Sequence, residues 1–76
     1  MALSQETIEI RTDFIKLEAL LKFAAAVESG GEAKALIQDG LVRVNGEVCT
    51  QRGKKLRSGD TVAYGENSYL VGGDVK

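Results

Sequence analysis

At Gly40 the spacing of apolar residues changes from the period of a helix to the period of a strand, and this switch limits the possible folds more than any other feature. Upstream, Leu17, Leu20, Leu21 and Ala24 recur at i, i+3, i+4 and i+7, one face of a helix ending near Ala26 or Val27. Lys16 and Lys22 fall off that face. A second short helix is predicted from Gly31 or Glu32 to Asp39, burying Ala33, Leu36 and Ile37 and turning Lys34 outward. Its start has the form of a capping box, in which Ser29 accepts from the Glu32 N–H and the Glu32 carboxylate returns to the Ser29 N–H. Gly40 then stands where a helix needs a left-handed residue to stop.

Downstream the period is two. Leu41-Val42-Arg43-Val44, Asn45-Gly46 and Glu47-Val48-Cys49 read as a hairpin. A two-residue turn would set Arg43 opposite Val48. A three-residue loop with Gly46 in a bulge would instead pair Val42 with Val48 and Arg43 with Glu47, and the hydrophobic pattern favours that register. Thr7 to Arg11 alternates as a further strand, after which Phe14 and Ile15 lead toward the core. Gln51 to Arg57 is too basic for a core and reads as a surface loop pinned at Leu56. Ser58-Gly59-Asp60 is a turn. Thr61–Tyr64 and Ser68–Val71 are two more strands joined through Gly65-Glu66-Asn67, and Gly72 to Lys76 reads as a frayed end. The expected order is β-α-α-β-β-β-β, an α+β fold with two adjacent helices packed on a small antiparallel sheet. No internal repeat and no proline marks a boundary, so residues 1–76 are expected to form one domain.

A chain of 76 residues buries only roughly 60% of its unfolded surface, which leaves little material to enclose a dry catalytic pocket. There is no histidine, the commonest general acid or base, and the acids are scattered. The single cysteine, Cys49, has no second thiol for a disulfide, no partner to share a metal and no histidine to activate it. Gly30-Gly31 before a helix lacks any nucleotide-binding fingerprint. The expectation is a protein that is not an enzyme and carries no cofactor or metal. The acidic and apolar residues from Met1 to Arg11 do not form a secretory signal, and no apolar run approaches the roughly 20 residues of a membrane span. A cytoplasmic monomer without membrane attachment is expected.

The net charge of −1 hides a strong polarity. Residues 1–33 carry three bases against six acids, residues 34–57 six bases against two acids, and the remainder one base against three acids. Such a molecule can steer a polyanion onto one face. The candidate contacts are Lys16 and Lys34 near the helices, Arg43 on the hairpin, and Arg52, Lys54, Lys55 and Arg57 in the loop. Aromatic residues are few, and Phe14 and Phe23 read as core. Without a row of exposed rings, recognition of the backbone and shape of a folded nucleic acid is the expected mode. The alternative is an adaptor that docks a protein partner.

The stretch "KLEALLKFAAAVESGGEAKALIQDGLVRVNGE", followed by a strand after "SGD", resembles the S4 RNA-binding domain (alpha-L motif). That family occurs in a small-subunit ribosomal protein, pseudouridine synthases and some tRNA synthetases. Its basic-Leu-acidic helix start appears as Lys16-Leu17-Glu18, and its Ser-Arg-x-x-Ala opening of helix two as Ser29-Gly30-Gly31-Glu32-Ala33. Its Gly-x-Val-x-Val-Asn-Gly hairpin appears as Gly40 to Gly46. The closest likeness lies within about residues 14–64 and is to small stand-alone bacterial S4-like proteins. Gly30 replaces the family's arginine, a typical RNA-contacting cation. The resemblance implies binding of structured RNA, ribosomal or transfer, with the helical hairpin and the following loop as the site. A ribosomal or RNA-modifying protein is the partner it implies for the adaptor alternative.

Overall fold

The computed structural model describes residues 4–73. Its elements, in chain order, are β1 (Ser4–Glu9), β2 (Ile15–Lys16), α1 (Leu17–Phe23), α2 (Gly30–Gln38), β3 (Val42–Val44), β4 (Glu47–Val48), β5 (Lys55–Leu56), β6 (Thr61–Tyr64) and β7 (Asn67–Gly72). The α+β arrangement agrees with the reading from sequence, with β2 and β5 added as two-residue strands. They pair with each other in a separate antiparallel ribbon, while the main sheet runs β1-β7-β6-β3-β4.

That main sheet is mixed, which corrects the antiparallel expectation. From β7 to β4 every pairing is antiparallel, but β1 joins β7 in parallel, Ser4 opposite Asn67 and Glu9 opposite Gly72. A parallel pair needs a long crossover, and here everything between the first and last strands supplies it. The Ile10 N–H extends the ladder to the Gly72 carbonyl at 2.8 Å, so Gly72 belongs to the sheet and not to a frayed end. Residues 74–76 lie outside the described residues.

Alternation along the strands sends Val42, Val44, Val62, Tyr69, Val71 and Ile8 to one face. There they meet Leu17, Leu20 and Leu21 of α1, Ala33 and Ile37 of α2, and Leu56 of β5 in one apolar cluster. Leu36, expected in the core, is only half-buried. Burial, then the charges of Glu6 and the proximity of Tyr64, raise the Tyr69 phenol above its ordinary ionisation range.

Three local details depart from the sequence pattern. Helix α1 stops at Phe23, before the predicted Ala26 or Val27, because Ala25 takes φ 60°. The Ala26 N–H bonds the Leu21 carbonyl at 2.9 Å and the Ala25 N–H bonds that of Lys22 at 3.0 Å, the Schellman pattern with alanine in the position usually held by glycine. Helix α2 ends the same way, with Gly40 at φ 77°, its N–H on Ile37 and the Leu41 N–H on Leu36. At the start of α2, Ser29 Oγ accepts from Glu32 N at 3.2 Å, but Glu32 Oε1 accepts from Glu28 N at 2.9 Å. With Ser29 fully extended, the cap closes one residue further upstream than a standard capping box.

The hairpin corrects the bulged register. Arg43 faces Val48 and Val44 faces Glu47 across a two-residue turn, with Asn45 at φ 53° and Gly46 at φ 88°. The hydrophobic argument for a bulge assumed that Val48 is buried, whereas it is 55% exposed on the edge strand β4. Turn chemistry sets this register instead. Asn45 Oδ1 accepts from Thr61 N at 2.9 Å and Asn45 Nδ2 donates to Asp60 Oδ1 at 3.2 Å, tying the tip to the turn before β6.

Candidate nucleic-acid interface

The basic loop is fastened to the first turn of α1 by its backbone. Lys16, the N-cap of that helix, makes no side-chain cap. The orphan N–H groups of Leu17 and Glu18 donate instead to the carbonyls of Lys54 at 2.9 Å and Arg52 at 3.1 Å. Two residues later Leu56, fully buried, drops into the core beside Ile15. The loop is thus pinned at Leu56, as its sequence suggests, and also clamped at two further points. Arg57 opens the next turn, its N–H donating to Asp60 Oδ2 at 2.8 Å.

These bonds gather cations that lie far apart in the chain. Lys16 stands directly opposite Lys55 in the ribbon, and Arg52, Lys54 and Arg57 flank it; all five side chains are exposed. Like charges directly across a strand pair are destabilising. A fold that holds two lysines so placed lacks a counter-charge within the pair, and a polyanion would supply one. Lys16→Glu is therefore expected to stabilise the domain by up to about 1 kcal/mol, through an opposite-charge pair with Lys55 and an acid at the start of α1. Urea unfolding measures this; a lower midpoint would show that the two lysines do not oppose each other in solution.

The other sequence candidates are placed differently. Lys34 is exposed on α2, which packs beside α1. Arg43 lies between the buried Val42 and Val44 and so projects from the sheet face turned away from the helices, opposite Ala63 of β6. Gly30 is unobstructed: a Cβ built there meets nothing within 4 Å, so no steric demand explains the loss of the family's arginine.

The two phenylalanines are not core, contrary to expectation. Phe23 is 66% exposed, because α1 ends on it and turns away. Phe14 is half-buried just before β2, and Lys55 Nζ sits 4.9 Å from its ring centroid. A ring among the loop cations was not legible in the sequence, since Phe14 and Lys55 lie 41 positions apart and only the ribbon pairing joins them. Cys49 is half-buried against the core with Sγ 3.7 Å from the Gln51 carbonyl, as a structural thiol would be. Among the described residues no group of three or more His, Cys, Asp or Glu side chains is placed to hold a metal, and no helix is long and apolar enough to cross a membrane.

Comparison with known proteins gives this architecture a family. Residues 8–72 match the profile of the S4 domain, from the buried Ile8 of β1 to the last residue of β7. A curated relative from Bacillus subtilis (strain 168), "Probable ribosome maturation protein RlbA", is 44% identical over 65 residues, covering 84% of this chain and 92% of the relative. "Putative RNA-binding protein YbcJ" of Escherichia coli (strain K12) is 39% identical over 57 residues, covering 75% of this chain and 81% of that protein. With the profile spanning both helices, the hairpin and the basic loop, the chain belongs to the S4 domain family.

Proposed function

We propose that this chain is a single RNA-binding domain, and that it grips structured RNA, ribosomal or transfer, with the cations around the start of α1. Lys16, Arg52, Lys54, Lys55 and Arg57 form the centre of the contact and Lys34 extends it along α2. Arg43 contributes least, because strand alternation turns it to the sheet face away from the helices. The observation that carries the reading is the cross-strand pair of Lys16 and Lys55, formed where the basic loop is clamped to the start of α1. Rigid clustering lets several cations meet phosphates without a large ordering cost, and each phosphate neutralised releases counterions. The relatives named for RNA binding and ribosome maturation point the same way.

Fluorescence anisotropy of labelled ribosomal-RNA fragments and transfer RNA, titrated across salt concentrations, tests it. Five phosphate contacts predict that log K falls against log salt with a slope of roughly −3.5 to −4.5. Absence of binding at low salt, or binding indifferent to salt, overturns the proposal. The second reading, an adaptor docked on a protein partner, is favoured by the exposure of Phe23. A pull-down that survives nuclease and high salt is its expected signature, because surface charge contacts are screened there.

A further inference from the structure

We infer that Phe14 is a stacking platform for one unpaired nucleobase, so that the RNA this domain takes carries an extrahelical or single-stranded nucleotide beside a paired region. The inference rests on the RNA-binding reading and deepens it. Its basis is the surroundings of one ring. Phe14 is half-buried at the entry to β2, next to the pair formed by Lys16 and Lys55. The Thr12 hydroxyl donates to the Phe14 carbonyl at 2.7 Å, fixing the backbone that presents the ring. Of the other rings, Tyr69 is buried, Tyr64 of β6 is half-buried and packed against the core, and Phe23 stands at the far end of α1.

The ring's present occupant indicates what can replace it. Lys55 Nζ lies 4.9 Å from the centroid, a cation held by the negative face of the ring. A partly exposed contact of this kind is weak, and the same ammonium is attracted more strongly by a phosphate. When RNA arrives, Lys55 can leave the ring for a phosphate oxygen and uncover an apolar face. A base stacked there gains more than the cation contact it displaces, and any base suffices because each has a π-face. Since the lysine and the ring belong to one cluster, phosphate and base come from neighbouring positions of one strand. A fully paired duplex keeps its bases stacked inside and leaves Phe14 uncovered.

The chain contains no tryptophan, so Phe14→Trp creates a single fluorescent reporter at the site. The probe is a labelled blunt-ended RNA duplex with a one-nucleotide bulge, compared with the same duplex fully paired. Expected results are quenching of the tryptophan by the bulged probe and not by the paired one. Phe14→Leu should weaken binding of the bulged probe about ten-fold, leave the paired probe within two-fold, and leave the salt slope of both unchanged. Unquenched tryptophan at saturation, or equal loss for both probes, overturns the stacking role while leaving the electrostatic reading intact. If unmodified protein binds neither probe, the RNA-binding reading has failed and the stacking role fails with it.

Discussion

Leu56→Ala is expected to lower the free energy of unfolding by about 2–5 kcal/mol, the usual cost of opening a cavity in a packed core. Leu56 is fully buried and paired with Ile15, although it is the one apolar residue in a run of bases. A domain of 76 residues has roughly 4–11 kcal/mol in total, so the change removes a large share. It also slackens the loop whose carbonyls hold the Leu17 and Glu18 N–H groups, so the start of α1 loses its cap with the core contact. Urea unfolding followed by circular dichroism measures the effect, with the exposed Arg57→Ala as a control expected to stay within about 0.5 kcal/mol of the parent. A loss below about 1 kcal/mol for Leu56→Ala would mean that the basic loop is not part of the cooperative unit. The interface would then have no rigid base.

Leu56 also marks how far the fold was legible in the sequence. Its isolation among cations identified an anchor, and the helical and strand periods identified both helices, the N-terminal strand, and β3, β4, β6 and β7. What pattern reasoning missed depends on partners distant in sequence. The parallel docking of β1 on β7 has no local signature, because its strands alternate alike whichever way the neighbour runs. The end of α1 was placed late because Ala25 adopts a left-handed conformation that sequence assigns to glycine or asparagine. The hairpin register went wrong for a different reason: apolar matching was allowed to outweigh the Asn45-Gly46 turn, though Val48 lies on an edge strand with no core to enter. Within the candidate site the charge polarity was readable residue by residue. Its assembly was not, since Lys16 meets Lys55 only through the β2–β5 ribbon, and Arg43 is carried to the other face by strand alternation.

Lys54→Glu combined with Lys55→Glu is expected to weaken RNA binding at least about 100-fold at physiological salt and to flatten the salt slope by about two units. Two phosphate contacts are lost and two repulsions replace them. The fold should be unaffected, because Lys54 holds α1 through its backbone carbonyl and both side chains point to solvent. Opposite Lys16, the change at Lys55 even relieves a like-charge pair, so the urea midpoint should stay level or rise. This opposition of signs separates a binding surface from a structural one: a residue needed for folding loses stability and affinity together, whereas a cation kept for RNA loses affinity alone. Among the described residues, the double variant removes the cation–π contact of Lys55 with the half-buried Phe14, worth about 0.5–1 kcal/mol and comparable with the repulsion relieved. If the slope and affinity stay at parental values, the RNA does not touch the ribbon. The same titration on Lys34→Glu and Arg43→Glu would then show whether α2 or the outer face of the sheet carries the contact instead.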